Sequence, residues 1–152
     1  MQSQFSSHGF ELSDSELAQF EQFLSLFMEY NAHTNLSAIR DREGIIEKHF
    51  IDSLYGVSII SEIMETSQNP APRLLDIGSG GGFPGIPLKI AIPELDITLL
   101  DSVGKKVKAM SHFIENIGLT DIQAIQDRAE SLAKNPDHKG KYDIVVSRAT
   151  AY

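Results

Sequence analysis

From Arg73 onward, short apolar runs alternate with longer segments in which apolar residues recur every three or four positions. The short runs predict four strands, at 73–77, 96–101, 121–126 and 142–147. The longer segments predict three helices, at 85–92, 104–117 and 128–134. Strands and helices in this order build a mostly parallel, doubly wound α/β sheet, with the ligand crevice at the carboxyl ends of the strands.

Before residue 73 the spacing of apolar residues is helical. Ser13 to Glu16 has the pattern of a capping box, and the helix that it opens is broken by residues 31–37. A second helical stretch is predicted from Asp41 to Ile63, and the polar, proline-containing segment from Thr66 to Pro72 predicts a linker. The expected organisation is therefore an N-terminal helical extension over residues 1–72 and an α/β domain over residues 73–152.

The segment from Arg73 to Pro87, RLLDIGSGGGFPGIP, joins the first strand to a glycine-rich turn and a helix start. Asp76 lies at the end of the strand, and Gly78, Gly80 and Gly82 follow, where the backbone must turn tightly and approach a ligand closely. Asp101 ends the second strand, at the separation expected for a carboxylate that binds ribose hydroxyls. Together these features predict a site for a nucleoside cofactor.

This pattern distinguishes between three kinds of cofactor site. A phosphate-binding P-loop is excluded, because no Lys followed by Ser or Thr comes after Gly85. The dinucleotide fingerprint is met formally by Gly80, Gly82 and Gly85. The alternative pattern D-x-G-x-G-x-G suits a cofactor without pyrophosphate, whose cationic amino group would face Asp76. S-adenosylmethionine has these groups and is the favoured cofactor, and an NAD-dependent oxidoreductase or a non-catalytic cofactor- or RNA-binding module stays an alternative.

The charge of the chain is unevenly distributed. The net charge is −8, and residues 1–72 carry three basic against eleven acidic residues, so the second half is neutral. Within that half Lys105, Lys106 and Lys108 form a basic cluster close to Asp101, which is a candidate RNA-binding patch or a solvated helix face. The chain has no cysteine and its five histidines show no metal-ligand spacing, so no metal is predicted.

The sequence shows no apolar run long enough to span a bilayer, and residues 1–13 lack the basic and apolar regions of a signal peptide. A soluble, cytoplasmic protein with no membrane partner is expected.

Several motifs, in order along the chain, resemble the bacterial small-subunit ribosomal RNA guanine-N7 methyltransferases, also called glucose-inhibited division protein B. The motifs are Tyr30-Asn31 with Asn35 to Ile39, His49 to Leu54, Asp76 to Leu88, Leu99 to Ser102 with Gly104 to Lys106, and Val146 to Ala149. The resemblance implies a Rossmann-like methyltransferase fold, S-adenosylmethionine as cofactor, and 16S ribosomal RNA or the small ribosomal subunit as partner. It also implies that Gly78, Phe83, Ala129, Glu130 and Arg148 contact the cofactor.

Two further expectations concern the reaction and the sheet. The segment from Ser147 to Thr150, SRAT, is unlike the N/D-P-P-Y-type motif of amino-group methyltransferases, so exocyclic amino groups are a poor target. His49 shares a helix face with Asp52 or with Ser53, either as a substrate-facing polar cluster or, in the favoured interpretation, as a local hydrogen-bonding pair that orients the N-terminal helices. Family members continue with further strands, so the fourth strand is expected at a sheet edge and the 152-residue chain is expected to be marginally stable and poorly active.

Overall fold

The computed structural model describes residues 1–148, and Ala149 to Tyr152, which close the last motif and the predicted domain, lie outside the described residues. Four helical segments of the N-terminal part are α1 (Gln2–Ser7), α2 (Asp14–Thr34), α3 (Arg42–Ile45) and a π-helix (Ile46–Ile51). They are followed by α4 (Asp52–Leu54) and α5 (Val57–Ser67). The capping box that opens α2 is confirmed, since Ser13 Oγ accepts from the Glu16 N–H at 3.1 Å and the Glu16 carboxylate accepts from the Ser13 N–H at 3.0 Å.

The α/β part is formed by elements that alternate as predicted. They are β1 (Arg73–Ile77), α6 (Gly85–Ala91), β2 (Asp96–Asp101), α7 (Gly104–Ile117), β3 (Ile122–Gln126), α8 (Ala129–Lys134) and β4 (Ile144–Val146). The strands are parallel and lie in the order β3-β2-β1-β4, so the direction of winding reverses between β1 and β4. A sheet of this kind opens its ligand crevice at that point.

Two buried clusters cover the two faces of the sheet unequally. The larger one joins α2 and the π-helix to α6 and α7 through a group of aromatic side chains: Phe20, Phe23, Phe27, Phe50, Phe83 and Phe113. The smaller one contains Leu75, Leu100 and Leu132. Residues before and after position 72 therefore share one hydrophobic core, and the predicted domain division at that position stays a prediction.

The predicted boundaries are wrong in four places of the N-terminal part. Helix α2 runs to Thr34, into the segment 31–37 that was predicted to break it. Helix α1 was not predicted; it forms because Phe5 is fully buried against Phe20 and His8 contacts Glu47. The predicted helix from Asp41 to Ile63 is divided at Gly56, a residue with poor helix propensity. There a turn, in which the Gly56 N–H donates to the Ser53 backbone oxygen, separates α4 from α5. Helix α5 also runs to Ser67, into the segment that was predicted to be a linker.

Strand β4 is shorter than the predicted 142–147 and lies at an edge of the described sheet, as expected. Its Val145 side chain is 56% exposed, whereas Ile144 is buried. Among residues 1–148, no helix combines the length and the apolar character that crossing a bilayer requires.

Candidate functional site

A cavity of about 830 Å³ lies at the carboxyl ends of the four strands, where the crevice was expected. Its lining comes from the strand ends and the loops after them (Ile77–Gly81, Phe83, Leu100–Val103, Lys106, Asp127–Glu130, Ser147 and Arg148) and from the N-terminal part (Leu36–Ala38 and His49). Because the strand order is β3-β2-β1-β4, these groups follow a spatial order along the edge of the sheet. The corner after β3 lies at one end, and the end of β4 with the N-terminal residues lies at the other.

The glycines of the predicted loop divide into two kinds. Gly78 and Gly80 have φ of +71° and +60°, and a Cβ at either position would meet no atom within 4 Å. These two positions face the open cavity, and their close approach to a ligand stays a prediction. In contrast, a Cβ at Gly82 would lie 2.5 Å from Ile86 Cδ1, and one at Gly85 would lie 2.2 Å from Leu99 Cδ2. Gly82 therefore allows close packing inside the protein and does not line the cavity.

Asp76 lies beneath the loop and is fully buried. Its Oδ2 accepts a hydrogen bond from the Gly85 N–H at 2.9 Å, and among residues 1–148 its Oδ1 has no hydrogen-bond partner. Burial raises the pKa of Asp76 to about 7, and the hydrogen bond from Gly85 opposes that rise. The side chain was expected to face a ligand, and here it lies just behind the lining of the cavity with one acceptor oxygen left over.

Asp101 lines the cavity at the end of β2, as predicted. Its two carboxylate oxygens accept hydrogen bonds from the backbone N–H groups of Gly80 and Val103, each at 2.9 Å. These bonds hold the carboxylate in one orientation, and each oxygen retains acceptor capacity for a further donor. A pair of adjacent hydroxyl groups is a matching ligand.

The corner between β3 and α8 places Ala129 and Glu130, which the resemblance assigns to cofactor contact, in the wall of the cavity. Arg128 precedes the helix in an extended conformation, so the N–H groups of the first helical turn lie at the cavity end. Glu130 is exposed and its carboxylate is available to a polar ligand edge.

Arg148 lies at the other end and connects residues from both halves of the chain. It donates hydrogen bonds to the Lys48 backbone oxygen at 3.1 Å and to His49 Nδ1 at 2.9 Å. Its guanidinium lies over the Phe83 ring at 5.2 Å, and the Asp52 carboxylate is 3.7 Å away. Burial lowers the pKa of Arg148, and the negative charges of Asp52 and Asp76 offset that effect.

His49 is held between Arg148 and the loop before α3. Its ring stacks on Phe83 with centroids 4.5 Å apart and an angle of 8°, and its Nε2 lies 2.7 Å from Ser37 Oγ. Burial, with the charge of Arg148 as a second cause, lowers the pKa of His49 to about 4. The expected pairing of His49 with Asp52 is therefore indirect, since both contact Arg148. Ser37 was not singled out from the sequence, although it lies inside the motif from Asn35 to Ile39.

The loop that carries Ser37 is anchored by Asn31, a buried residue of α2. The Asn31 side chain accepts from the N–H groups of Leu36 and Ser37 and donates to the Ser37 oxygen at 3.0 Å. The loop therefore has one defined conformation against the cavity. Apart from the motif from Asn35 to Ile39, no sequence pattern predicted that these N-terminal residues would form part of the site.

Of the three lysines predicted to bind RNA, Lys106 lines the cavity, and Lys105 and Lys108 are exposed on the same first turns of α7. Within the described part of the chain, no group of three or more His, Asp or Glu side chains has a geometry suited to a metal ion.

Comparisons with known proteins agree on the kind of fold. A family model described as rRNA small subunit methyltransferase G matches residues 16–152. Proteins named "Ribosomal RNA small subunit methyltransferase G" from Clostridium novyi and Acetivibrio thermocellus are both 44% identical, over 93% and 96% of this chain. The aligned regions make up 56% and 57% of those proteins, so the chain spans a little over half the length of these relatives.

Two solved structures share the fold. One is a proposed S-adenosyl-L-methionine-dependent methyltransferase from Methanococcus maripaludis, with a TM-score of 0.51 and 26% identity over 69% of this chain and 46% of that chain. The other is a proposed O-methyltransferase from Klebsiella pneumoniae, with a TM-score of 0.53 and 16% identity over 81% of this chain and 51% of that chain. The sheet and helices are therefore those of Rossmann-like methyltransferases, as predicted.

Proposed function

We propose that this chain, which belongs to the rRNA small subunit methyltransferase G family, binds S-adenosylmethionine in the cavity and methylates N7 of a guanine in 16S ribosomal RNA. The observation that carries this proposal is the order of polar groups along the strand ends. A carboxylate with free acceptor capacity lies at β2, between an open glycine loop at β1 and a helix start after β3.

The residues present fit S-adenosylmethionine from one end to the other. Ala129 and Glu130 would hold the adenine edge, and Asp101 would accept from the two ribose hydroxyls. Gly78 and Gly80 leave open space where the methionine part would lie. The unpartnered Oδ1 of Asp76 would attract the cationic amino group, whose charge would also favour the ionised carboxylate. The volume of about 830 Å³ lies within the range of small-molecule sites.

A dinucleotide is less well supported. Its pyrophosphate binds the N–H groups at the start of the helix that follows the glycine loop. Here the Gly85 N–H at the start of α6 already donates to Asp76, and Gly85 is packed against Leu99.

The proposed reaction requires the side chains mainly to position the methyl donor and the guanine base. When bound, the sulfonium supplies an electrophilic methyl group. Guanine N7 has a lone pair and no proton, so its attack on that methyl group, with the sulfur as leaving group, would need no general base. Leu36 and Phe83 would limit water at the reacting end, and Arg148 and His49 would hold the reacting groups in place. The sequence predicted no nucleophilic side chain paired with a general base, and this reaction would need none.

RNA contact by the basic cluster of Lys105, Lys106 and Lys108 is part of the same proposal. The cluster lies at the start of α7, which begins three residues after Asp101, so the phosphates near a base in the cavity would lie within its reach.

Two measurements test the proposal. Calorimetry should detect binding of S-adenosylhomocysteine and none of NAD. Incubation with labelled S-adenosylmethionine and small ribosomal subunits should label the RNA, and borohydride reduction followed by aniline should cleave it at the labelled guanine, because that treatment detects N7 methylation. Binding of NAD in preference to S-adenosylhomocysteine, or label on a position that resists cleavage, would contradict the proposal.

A further inference from the structure

The hydrogen bonds around His49 define which of its ring nitrogens carries the proton. Arginine has only donors, so the 2.9 Å contact between Arg148 Nη2 and His49 Nδ1 requires a lone pair on Nδ1. The ring is then neutral with its hydrogen on Nε2, and Nε2 donates to Ser37 Oγ at 2.7 Å. The lowered pKa of His49 agrees with a neutral ring at pH 7.

This tautomer determines the role of the Ser37 hydroxyl. Ser37 Oγ accepts from His49 and also from the Ile39 N–H at 3.0 Å, so both of its lone pairs are used. A serine hydroxyl has one donor and two acceptor sites. Within residues 1–148 the hydroxyl hydrogen has no acceptor, and Ser37 is half-buried and lines the cavity. Ser37 therefore presents a directed donor to whatever occupies this end of the cavity.

The position of Ser37 favours the methyl acceptor over the cofactor. The groups suited to adenine, ribose and methionine lie at β3, β2 and β1, in that order along the sheet edge. Ser37 contacts His49, which contacts Arg148 after β4, beyond the methionine position. A base brought to the methyl group would enter at this end, between the loop that carries Ser37 and the end of β4.

We propose that the Ser37 hydroxyl donates a hydrogen bond to O6 of the target guanine, and that His49 is the positioning residue that directs this hydroxyl. The inference rests on the proposed function and names the residue that recognises the base. A donor to N7 would occupy the lone pair that must attack the methyl group, whereas O6 is the neighbouring acceptor on the same edge of guanine. A bond to O6 orients N7 and leaves it free.

The test compares two nucleotides that differ at the proposed contact. Protein saturated with S-adenosylhomocysteine is titrated with guanosine 5′-monophosphate and with 2-aminopurine riboside 5′-monophosphate, which has N7 but no O6. Wild-type protein should bind the guanine nucleotide more tightly, by roughly threefold to tenfold for one hydrogen bond. Ser37→Ala should bind both nucleotides alike and keep its affinity for S-adenosylhomocysteine. The nucleotide preference isolates the contact, because a general structural defect would weaken both ligands equally.

Two variants of His49 separate positioning from packing. His49→Gln retains an amide donor near the position of Nε2 and should retain the preference for guanine. His49→Asn retains only an acceptor near Nδ1 and should lose the preference as Ser37→Ala does. Melting curves would confirm that both variants fold. Equal loss of the preference in the two folded variants would contradict the positioning role.

The remaining outcomes are also decisive. A preserved guanine preference in Ser37→Ala, or no preference in wild-type protein that binds S-adenosylhomocysteine, would overturn the inference. Weaker binding of S-adenosylhomocysteine to Ser37→Ala would assign the hydroxyl to the cofactor carboxylate instead. Failure of the wild-type protein to bind S-adenosylhomocysteine would refute the proposed function, and this inference with it.

Discussion

The two ends of the cavity are built in different ways. At the end proposed to bind the cofactor, called the cofactor end, Asp76 and Gly85 lie within one strand-loop-helix unit, and Asp101 joins them from the next strand through backbone N–H groups. At the opposite end, Arg148 contacts His49 across 99 positions of the chain, and Ser37 joins from a loop before α3. The first end depends on a local motif and a parallel strand pair. The second exists only when the helical extension packs on the sheet.

The largest effect is expected from a substitution in the packed turn at the start of α6, beneath the cavity. Gly85→Val would drive a side chain into Leu99 and separate Asp76 Oδ2 from its only donor among the described residues. We expect a loss of about 3 kcal/mol in the free energy of unfolding, measured by urea denaturation. Gly56→Ala is the control, because a Cβ there lies no closer than 3.7 Å to any atom. A wild-type midpoint for Gly85→Val would show that the loop is not packed as described.

A substitution at the cofactor end alone should separate binding from folding. Gly80→Val places a side chain in the open cavity, so we expect S-adenosylhomocysteine affinity to fall by about 100-fold. The protein should stay folded, with a cost of about 1–2 kcal/mol for the left-handed backbone at φ +60°. Calorimetry and urea denaturation measure the two effects. Affinity within twofold of wild type would place the ligand elsewhere.

The two ends should respond to pH in opposite directions. Burial raises the pKa of Asp76 from 3.8 to about 7, so its contribution to stability is present below pH 3.8 and is lost as the pH rises toward 7. Burial and Arg148 lower the pKa of His49 from 6.5 to about 4, so its contribution is present above pH 6.5 and is lost as the pH falls toward 4. Between pH 4 and 6.5 the two effects cancel, because folding binds one proton at Asp76 and releases one at His49.

Single variants should show the pH dependence of the free energy of unfolding for each group separately. In His49→Asn the free energy of unfolding should fall as the pH rises from 4 to 6.5, and in Asp76→Asn it should rise over the same range. Each slope can reach about 1.4 kcal/mol per pH unit. Denaturation at several pH values without cofactor is the measurement, and parallel profiles for the two variants would contradict the assignment. Arg148 is the charged neighbour that both groups share, since its charge lowers the pKa of each, and Asp101 raises the pKa of Asp76 alone.

The smallest expected effect concerns the rim between the two ends. Replacing Lys105, Lys106 and Lys108 with Gln should reduce the slope of log affinity for RNA against log salt by about 2 to 3, with S-adenosylhomocysteine affinity preserved. The matched control replaces Lys134, Lys139 and Lys141, which makes the same change in charge away from the cavity. Equal salt slopes of RNA affinity for the two triple variants would show that Lys105, Lys106 and Lys108 are solvated and do not contact RNA phosphates.

Sequence patterns predicted the α/β part closely, because its signals are local. Strands β1 and β2 have the predicted bounds, as does α7, whose end at Gly118 follows from the left-handed backbone there. The N-terminal part was predicted less well. Helix α1 is held by contacts of Phe5 and His8 with distant residues, and the π-helix around His49 has no signature in apolar spacing.

The sequence by itself determined the nature of the cofactor end, since an acid after an apolar strand, a run of glycines and a second acid after the next strand specify backbone turns and carboxylate positions over short separations. Only the tertiary structure decided which glycines face a ligand and which face Ile86 and Leu99, and that Asp76 lies behind the cavity wall. It also decided the end formed by Ser37, His49 and Arg148. Their contact depends on packing between segments about 100 residues apart, and neither spacing nor composition specifies which distant side chains such packing brings together.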